Sequence, residues 1–259
     1  FQIDLLAVQG NDNRLVLDSV KLPVGDYQNL RIVVLDEDLE STYVSEVGGS
    51  TNKPLKVPSH ELKLGEFNVS NISTQTFVVE FGLRQAMTYN PGPDRYILKP
   101  RGVRIVRLDD AATVSGTVDL SALHLEDACS AKEDTTVGNI AYLYNGHELD
   151  ASLLGDVFVR EDDAQDPEID ENVASNIIAP LASTSIDGQT GEYLFSYLNS
   201  GDYTLAISCN ALMDDAVNYD GIKIPSSAGE LIELTLDKEM NLECNFPDIE
   251  VCTVIDTES

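Results

Sequence analysis

The residues in this sequence that could do chemistry are mostly oxygen carriers. Three histidines, His60, His124 and His147, stand alone in the sequence. None has the i, i+4 or His-x-His spacing that brings two imidazoles to one metal ion, so all three read as surface residues. No Gly-x-Ser-x-Gly elbow, phosphate loop or dinucleotide fingerprint occurs. With 45 acids in 259 residues, the many carboxylate pairs single out no acid/base couple. The sequence therefore implies no catalytic residues and no enzyme. Its carboxylates could instead hold a hard cation. The acidic run from Asp162 to Glu171, and the group Asp214, Asp215, Asn218 and Asp220, offer oxygen ligands of the kind calcium takes. Neither has the Asp-x-Asp-x-Asp-Gly spacing of a calcium loop, and no other cofactor is expected.

The four cysteines, Cys129, Cys209, Cys244 and Cys252, all fall in the second half. An even count suits an oxidising compartment and leaves three pairings open. The preferred one is Cys129–Cys209 with Cys244–Cys252, because Pro247 can reverse the chain between the last two. The cysteine spacing is wrong for zinc, which is not expected. Charge divides the chain more sharply. Residues 1–113 carry 15 acids against 12 bases, a net of −3, whereas residues 114–259 carry 30 against 4, a net of −26. So negative a surface repels phosphate backbones and anionic lipid, which excludes nucleic acid and membrane surfaces as partners. No apolar run reaches the ~18 residues of a membrane span. The chain opens on Phe1, in strand pattern and without Met, and reads as a processed product.

The elements that must position these residues are strands. The pattern Leu-x-x-Gly-Asp-Tyr followed by alternating apolar residues occurs twice, at Leu22 to Tyr27 and at Leu198 to Tyr203. Each copy reads as a tight Gly-Asp turn leading into a half-buried strand. Two such copies, the length and the charge step predict an all-β protein of two tandem β-sandwich domains with Greek-key or transthyretin-like topology and little helix. The domains are expected at 1–113 and 114–245, with a tail at 246–259. In the first, strands are expected over 1–8, 15–17, 27–35, 55–58, 62–69, 76–81 and 96–108, with a helical turn at 83–87. Arg95, Lys99, Arg101, Arg104 and Arg107 crowd the last strand; they read as a solvated edge that deters aggregation or as a subunit contact. Asn68-Val69-Ser70 and Asn71-Ile72-Ser73 are glycosylation-type tripeptides, read as incidental.

The blocks IDLLAVQG, LPVGDYQNLRIVV, LKVPS, LKLGEFNV, VVEFGLRQAM and YILKPRGVRIV, in that order, resemble a domain-of-unknown-function family of secreted and lipid-anchored proteins of Gram-negative bacteria. The resemblance spans about residues 1–110 and implies a cell-envelope β-sandwich with no assigned activity. It also implies a preceding stretch with a first strand and a lipidated cysteine, so the first sandwich is expected to be short of a strand here.

In the second half, strands are expected over 114–120, 140–144, 155–160 and 231–236. The run DGQTGEYLFSYLNSGDYTLAIS is similar to carboxypeptidase-regulatory-like and transthyretin-like modules, over about residues 137–236. That resemblance implies a small seven-stranded sandwich of a stalk or adhesin. Some relatives carry a Lys–Asn cross-link, but Lys132, Lys223 and Lys238 are not placed for it. The resulting expectation is a non-enzymatic structural or interaction protein, exported to the bacterial cell surface or extracellular space. It could assemble head-to-tail by strand complementation, with Ile249, Val251 and Ile255 of the tail as donor and other copies or envelope components as partners. The alternative is a glycan- or calcium-dependent adhesion module.

Overall fold

The computed structural model describes residues 1–36, 38–71, 74–125, 129–159, 173–226, 231–247 and 252–255. The fold is all-β, 39% strand against 9% helix, and the chain forms two compact units, Phe1–Leu108 and Asp109–Ser259.

Among the described residues the first unit has eight strands: β1 (Gly25–Val33), β2 (Tyr43–Val44), β3 (Lys53–Lys56), β4 (Glu61–Val69), β5 (Phe77–Phe81), β6 (Met87–Asn90), β7 (Arg95–Leu98) and β8 (Val103–Arg107). Helix α1 (Leu83–Ala86) is the helical turn expected there. The described strands divide among three hydrogen-bonded sheets, β1-β4, β2-β3-β7-β6 and β5-β8. Prolines and turns keep most of them at two to five residues; only β1 and β4 run to nine. The core is correspondingly small. Val57, Leu62, Leu64, Ala86 and Leu98 are buried, with Leu30, Ile32, Val79 and Phe81 half-buried against them.

Three expectations are corrected here. Residues 1–8 and 15–17 form no strand; Asp4 Oδ1 accepts from Leu6 N at 3.0 Å and caps a short 3-10 turn over Leu5–Ala7 instead. The strand expected over 55–58, where Pro58 suits an edge, is instead β3, an inner strand between β2 and β7. The closing strand over 96–108 is two strands, β7 and β8, parted by a turn in which Gly102 takes φ +71°.

The second unit is a sandwich of two four-stranded sheets. Its strands are β9 (Ala112–Thr117), β10 (Ile140–Asn145), β11 (Ala182–Ser185), β12 (Glu192–Leu198), β13 (Gly201–Ser208), β14 (Leu231–Leu236), β15 (Asn241–Glu243) and β16 (Thr253–Val254), with helix α2 (Leu120–Leu123) after β9. One sheet runs β11-β10-β13-β14 and the other β12-β9-β15-β16. Strand alternation sorts side chains between two cores. Ala141 and Leu143 of β10, Tyr203, Leu205 and Ile207 of β13, and Ile232, Leu234 and Leu236 of β14 face the opposite sheet. Each fully buried Leu or Ile contributes roughly 1.5–3 kcal/mol. The intervening residues Ile140, Tyr142, Tyr144 and Ala206 point outward, yet they too are buried, under Leu154, Val157, Ala211 and Ile224. The stretches 149–159 and 210–226 thus lie over the outside of this sheet as a second, smaller core. Residues 155–159 accordingly form no strand in the described structure. Val157, Phe158 and Val159 are buried consecutively, which alternation in a one-sided strand would not allow. At Gly116 in β9 a Cβ would lie 1.8 Å from the Cys244 carbonyl oxygen, so only glycine lets β15 approach.

The two Leu-x-x-Gly-Asp-Tyr copies form the same device. Tyr27 and Tyr203 each donate a hydroxyl hydrogen bond to the carbonyl four residues upstream, Pro23 at 2.8 Å and Asn199 at 2.9 Å. Beside them, Asp26 and Asp202 accept from their cross-strand partners, Asn68 at 2.6 Å and Thr235 at 2.7 Å. Each copy therefore pins the turn before its strand and the register of the next strand at once.

Candidate functional site

Among the described residues, a group of carboxylates able to share a metal ion lies where the two covering stretches meet. Asp156, Asp214 and Asp220 each offer a carboxylate oxygen, and these atoms lie within 4.8 Å of one another. Asp156 is fully buried, Asp214 half-buried and Asp220 exposed. The local folding that brings them together is legible in backbone terms. Asp215 Oδ1 accepts from Val217 N and Asn218 N, forming an Asx turn that bends the chain back. Asp215 N in turn donates to Asp220 Oδ2 at 2.7 Å. Asp156 Oδ2 then accepts from Asp220 N and Ile222 N at 3.1 and 3.0 Å, tying residues 220–222 to the opposite stretch. Underneath, the β10 tyrosines fix both sides. Tyr142 donates to Asp214 Oδ2 at 2.7 Å, and Tyr144 to the Gly155 carbonyl at 2.6 Å. Tyr219 stacks edge-on to Phe158, ring centroids 5.7 Å apart.

Burial pushes the Asp156 carboxyl up to about 7; the Ile222 N–H opposes this, and the charges of Asp214 and Asp220 add to it. Burial and the charges of Asp156 and Asp214 hold the Tyr144 phenol above its ordinary range. Asp156 Oδ1 accepts no hydrogen bond among the described residues although it is fully buried. Three carboxylates, oxygen donors only, suit a hard divalent cation and not zinc or copper.

Of the sequence-predicted ligands, Asp214 and Asp220 come together, whereas Asp215 and Asn218 are spent on the turn. The run Asp162–Glu171 lies outside the described residues. Sequence reasoning missed Asp156; its signal was a single acid inside the apolar run Leu153-Leu154-Gly155-Asp156-Val157-Phe158.

The remaining residues are placed separately. Cys129 is bonded to Cys209 and Cys244 to Cys252, the preferred pairing. His60 is exposed and pairs with Asp36. His124 Nε2 is 3.3 Å from Asn139 Oδ1. His147 donates to the Leu234 carbonyl at 3.0 Å, which together with Asp202 and Glu233 raises its pKa. The basic strand residues are not a bare solvated edge. Lys99 is 5% exposed, Arg104 pairs with Glu80, and Arg101 donates to the Gln85 carbonyl at 2.6 Å, while Arg95 and Arg107 are half-buried. Ile249 and Val251 lie outside the described residues. Ile255 donates its N–H to the Asn241 carbonyl at 2.8 Å, and β16 pairs with β15. That pairing corrects the expectation of a free donor tail, since its described part closes an edge of its own unit. Among the described residues no helix is long and apolar enough to cross a membrane, and two disulfides are compatible with an oxidising, non-cytoplasmic compartment.

Fold and site together define an all-β protein of two units, the second disulfide-bonded and carrying a carboxylate cluster. Residues 1–100 match the model of a family described as Domain of unknown function (DUF4382), so a DUF4382 domain makes up most of the first unit. No curated protein and no solved structure matches the chain.

Proposed function

We propose that this is a non-enzymatic structural and interaction protein of the Gram-negative cell surface or extracellular space, which assembles with further copies of itself through its first unit. One observation carries the reading. Ahead of β1, residues 1–24 expose eight large apolar side chains, among them Phe1, Leu6, Leu15, Leu17 and Val24, and Val33 and Leu35 at the end of β1 are 71% and 76% exposed. β1 itself has one hydrogen-bonded neighbour among the described residues, β4, so its other edge offers backbone groups to a further strand. Exposed apolar side chains on a unit with an open strand edge favour strand addition. The second unit, which we read as a carboxypeptidase-regulatory-like or transthyretin-like module, supports the role as a disulfide-stapled spacer. The three histidines support the non-enzymatic reading, each being engaged with a different, non-catalytic partner.

Light scattering over a wide concentration range tests this on the full chain. The mass should rise with concentration for the native sequence, and Leu15→Glu with Leu17→Glu, or Val33→Glu alone, should hold it at one chain. A native protein that stays monomeric throughout, or charged variants that assemble as well as it does, would sink the proposal.

A further inference from the structure

We propose that Asp156, Asp214 and Asp220 form a calcium site that clamps the stretch 210–226 to the stretch 153–159 over the outer face of the β10–β13 sheet. This goes beyond the assembly proposed above and does not depend on it. Two independent observations carry it. The first is geometric. Oxygens bound to one calcium ion at roughly 2.3–2.6 Å can be no more than about 5 Å apart, and the three carboxylates lie within 4.8 Å of one another. The second is the state of Asp156. Its side chain is fully buried, its Oδ1 accepts nothing among the described residues, and no basic residue pairs with it there. A buried carboxylate with an idle oxygen is costly unless a cation or proton meets it. Here the charges that do meet it are two further carboxylates, which worsen the cost and which a divalent ion would reverse.

The surroundings are built to keep that oxygen idle. Asp156 Oδ2 is held by the N–H groups of Asp220 and Ile222, and Asp214 Oδ2 by the Tyr142 hydroxyl. Each of these bonds fixes one oxygen of a carboxylate and sets the direction of the whole group. The gradient from buried Asp156 through half-buried Asp214 to exposed Asp220 gives a cation a path from solvent. Hard oxygen ligands on two separate stretches favour calcium, with its flexible coordination, over magnesium, which demands a compact octahedron. The remaining coordination positions would fall to water on the Asp220 side.

Isothermal titration of the chelator-treated full chain with calcium chloride, and separately with magnesium chloride, tests the site, with thermal melting as a second readout. We expect one saturable calcium per chain, weaker magnesium binding, and a rise in the melting temperature of the second unit with calcium. Asp156→Asn should abolish that uptake, and Asp220→Asn, on the exposed side, should weaken it at least tenfold without disturbing the fold. Neutralising Asp162, Asp163 and Asp166 should leave it intact. Absence of saturable uptake overturns the proposal, as does uptake that survives in Asp220→Asn and Asp214→Asn but vanishes with the acidic run. Equal binding of magnesium overturns the assignment to calcium. If Asp156→Asn does not fold, the Asp214→Asn and Asp220→Asn variants decide alone.

Discussion

The two disulfides differ in one property that fixes how much each should stabilise: the length of chain they close. Cys129–Cys209 joins residues 80 apart, with Cα atoms 5.9 Å from each other, and Cys244–Cys252 joins residues 8 apart, with Cα atoms 4.4 Å from each other. In the loop-closure account the first removes about 4.5 kcal/mol of unfolded-state entropy and the second about 2.5 kcal/mol. The difference, about 2 kcal/mol, depends only on the tenfold ratio of loop lengths and is the sturdier number. Local structure widens it. Cys129 and Cys209 are both buried in the main core of the second unit, and the Cys209 backbone accepts from Lys132 Nζ at 2.6 Å and donates to Ser226 Oγ at 2.7 Å. Losing this bond loosens the end of β13. Cys252 instead sits in the short tail, so losing the second bond frees β16 from a sheet edge and little else. Guanidinium unfolding of the double variants Cys129→Ala/Cys209→Ala and Cys244→Ala/Cys252→Ala, followed by far-ultraviolet circular dichroism, measures both. The transition of the second unit should fall by about 4–5 kcal/mol in the first and about 2–3 kcal/mol in the second. Equal losses, or a larger loss from the short loop, would refute the reasoning.

Three further outcomes follow from named contacts. Tyr27→Phe and Tyr203→Phe each remove one hydroxyl bond to a turn carbonyl and should cost about 1 kcal/mol; thermal melts that leave either variant unchanged would show that the turn holds itself. Asp36 is buried, which opposes its ionisation, but the His60 side chain and the Val57 N–H, at 3.0 Å, outweigh that and hold its carboxyl below 3.8. A depressed carboxylate stabilises above its unfolded value and loses that stabilisation as pH falls through the folded one. The first unit should therefore weaken below about pH 4, and Asp36→Asn should flatten the slope; an unchanged acid profile in that variant would count against it. The net of −26 on residues 114–259 should make the second unit melt higher as sodium chloride screens self-repulsion, with chelator present to exclude divalent ions. A melting temperature flat from about 10 mM to 1 M salt would contradict that.

How much of this was legible in the sequence depended on whether the controlling physics was local. β14 is LIELTL, its burial alternates strictly, and the strand expected over 231–236 is the strand observed. The strands at the Gly-Asp-Tyr copies were legible for the same reason, although the Gly-Asp pair opens each strand instead of forming the turn before it. The short Cys244–Cys252 loop belongs with them. The tyrosine bonds and the pairing of Asp26 and Asp202 were not legible, because their partners are set by the fold. Residues 1–8 misled because alternation of Phe1, Ile3, Leu5 and Ala7 states only what a strand would look like if a neighbour paired with it. With no partner, the Asp4 cap and a 3-10 turn prevail. The basic strand misled in the opposite sense. Five cations in 13 residues read as solvated, but Glu80 draws in Arg104 and the Gln85 carbonyl draws in Arg101, and nothing in a one-dimensional pattern shows which acids will lie opposite.

Asp156 marks the boundary between the two cases. It lies 58 residues before Asp214 in sequence, inside an apolar run whose consecutive burial looked like strand core. In so acidic a chain, acids close together in sequence carry little information, because most of them are solvated and repel one another. An acid surrounded by Leu, Val and Phe is different. Such a run is buried wherever it goes, so its carboxylate must be buried with it, and a buried carboxylate requires hydrogen bonds, a proton or a cation. The structure supplies two backbone N–H groups to one oxygen and none to the other, and it sets Asp214 and Asp220 beside it. A purely structural role would have been met more cheaply by Asn at that position, which accepts the same two bonds without bringing charge into a cluster of acids. The negative charge of Asp156 is what a cation-binding role requires, and it is the acid least supported by its neighbours in sequence that locates the proposed site.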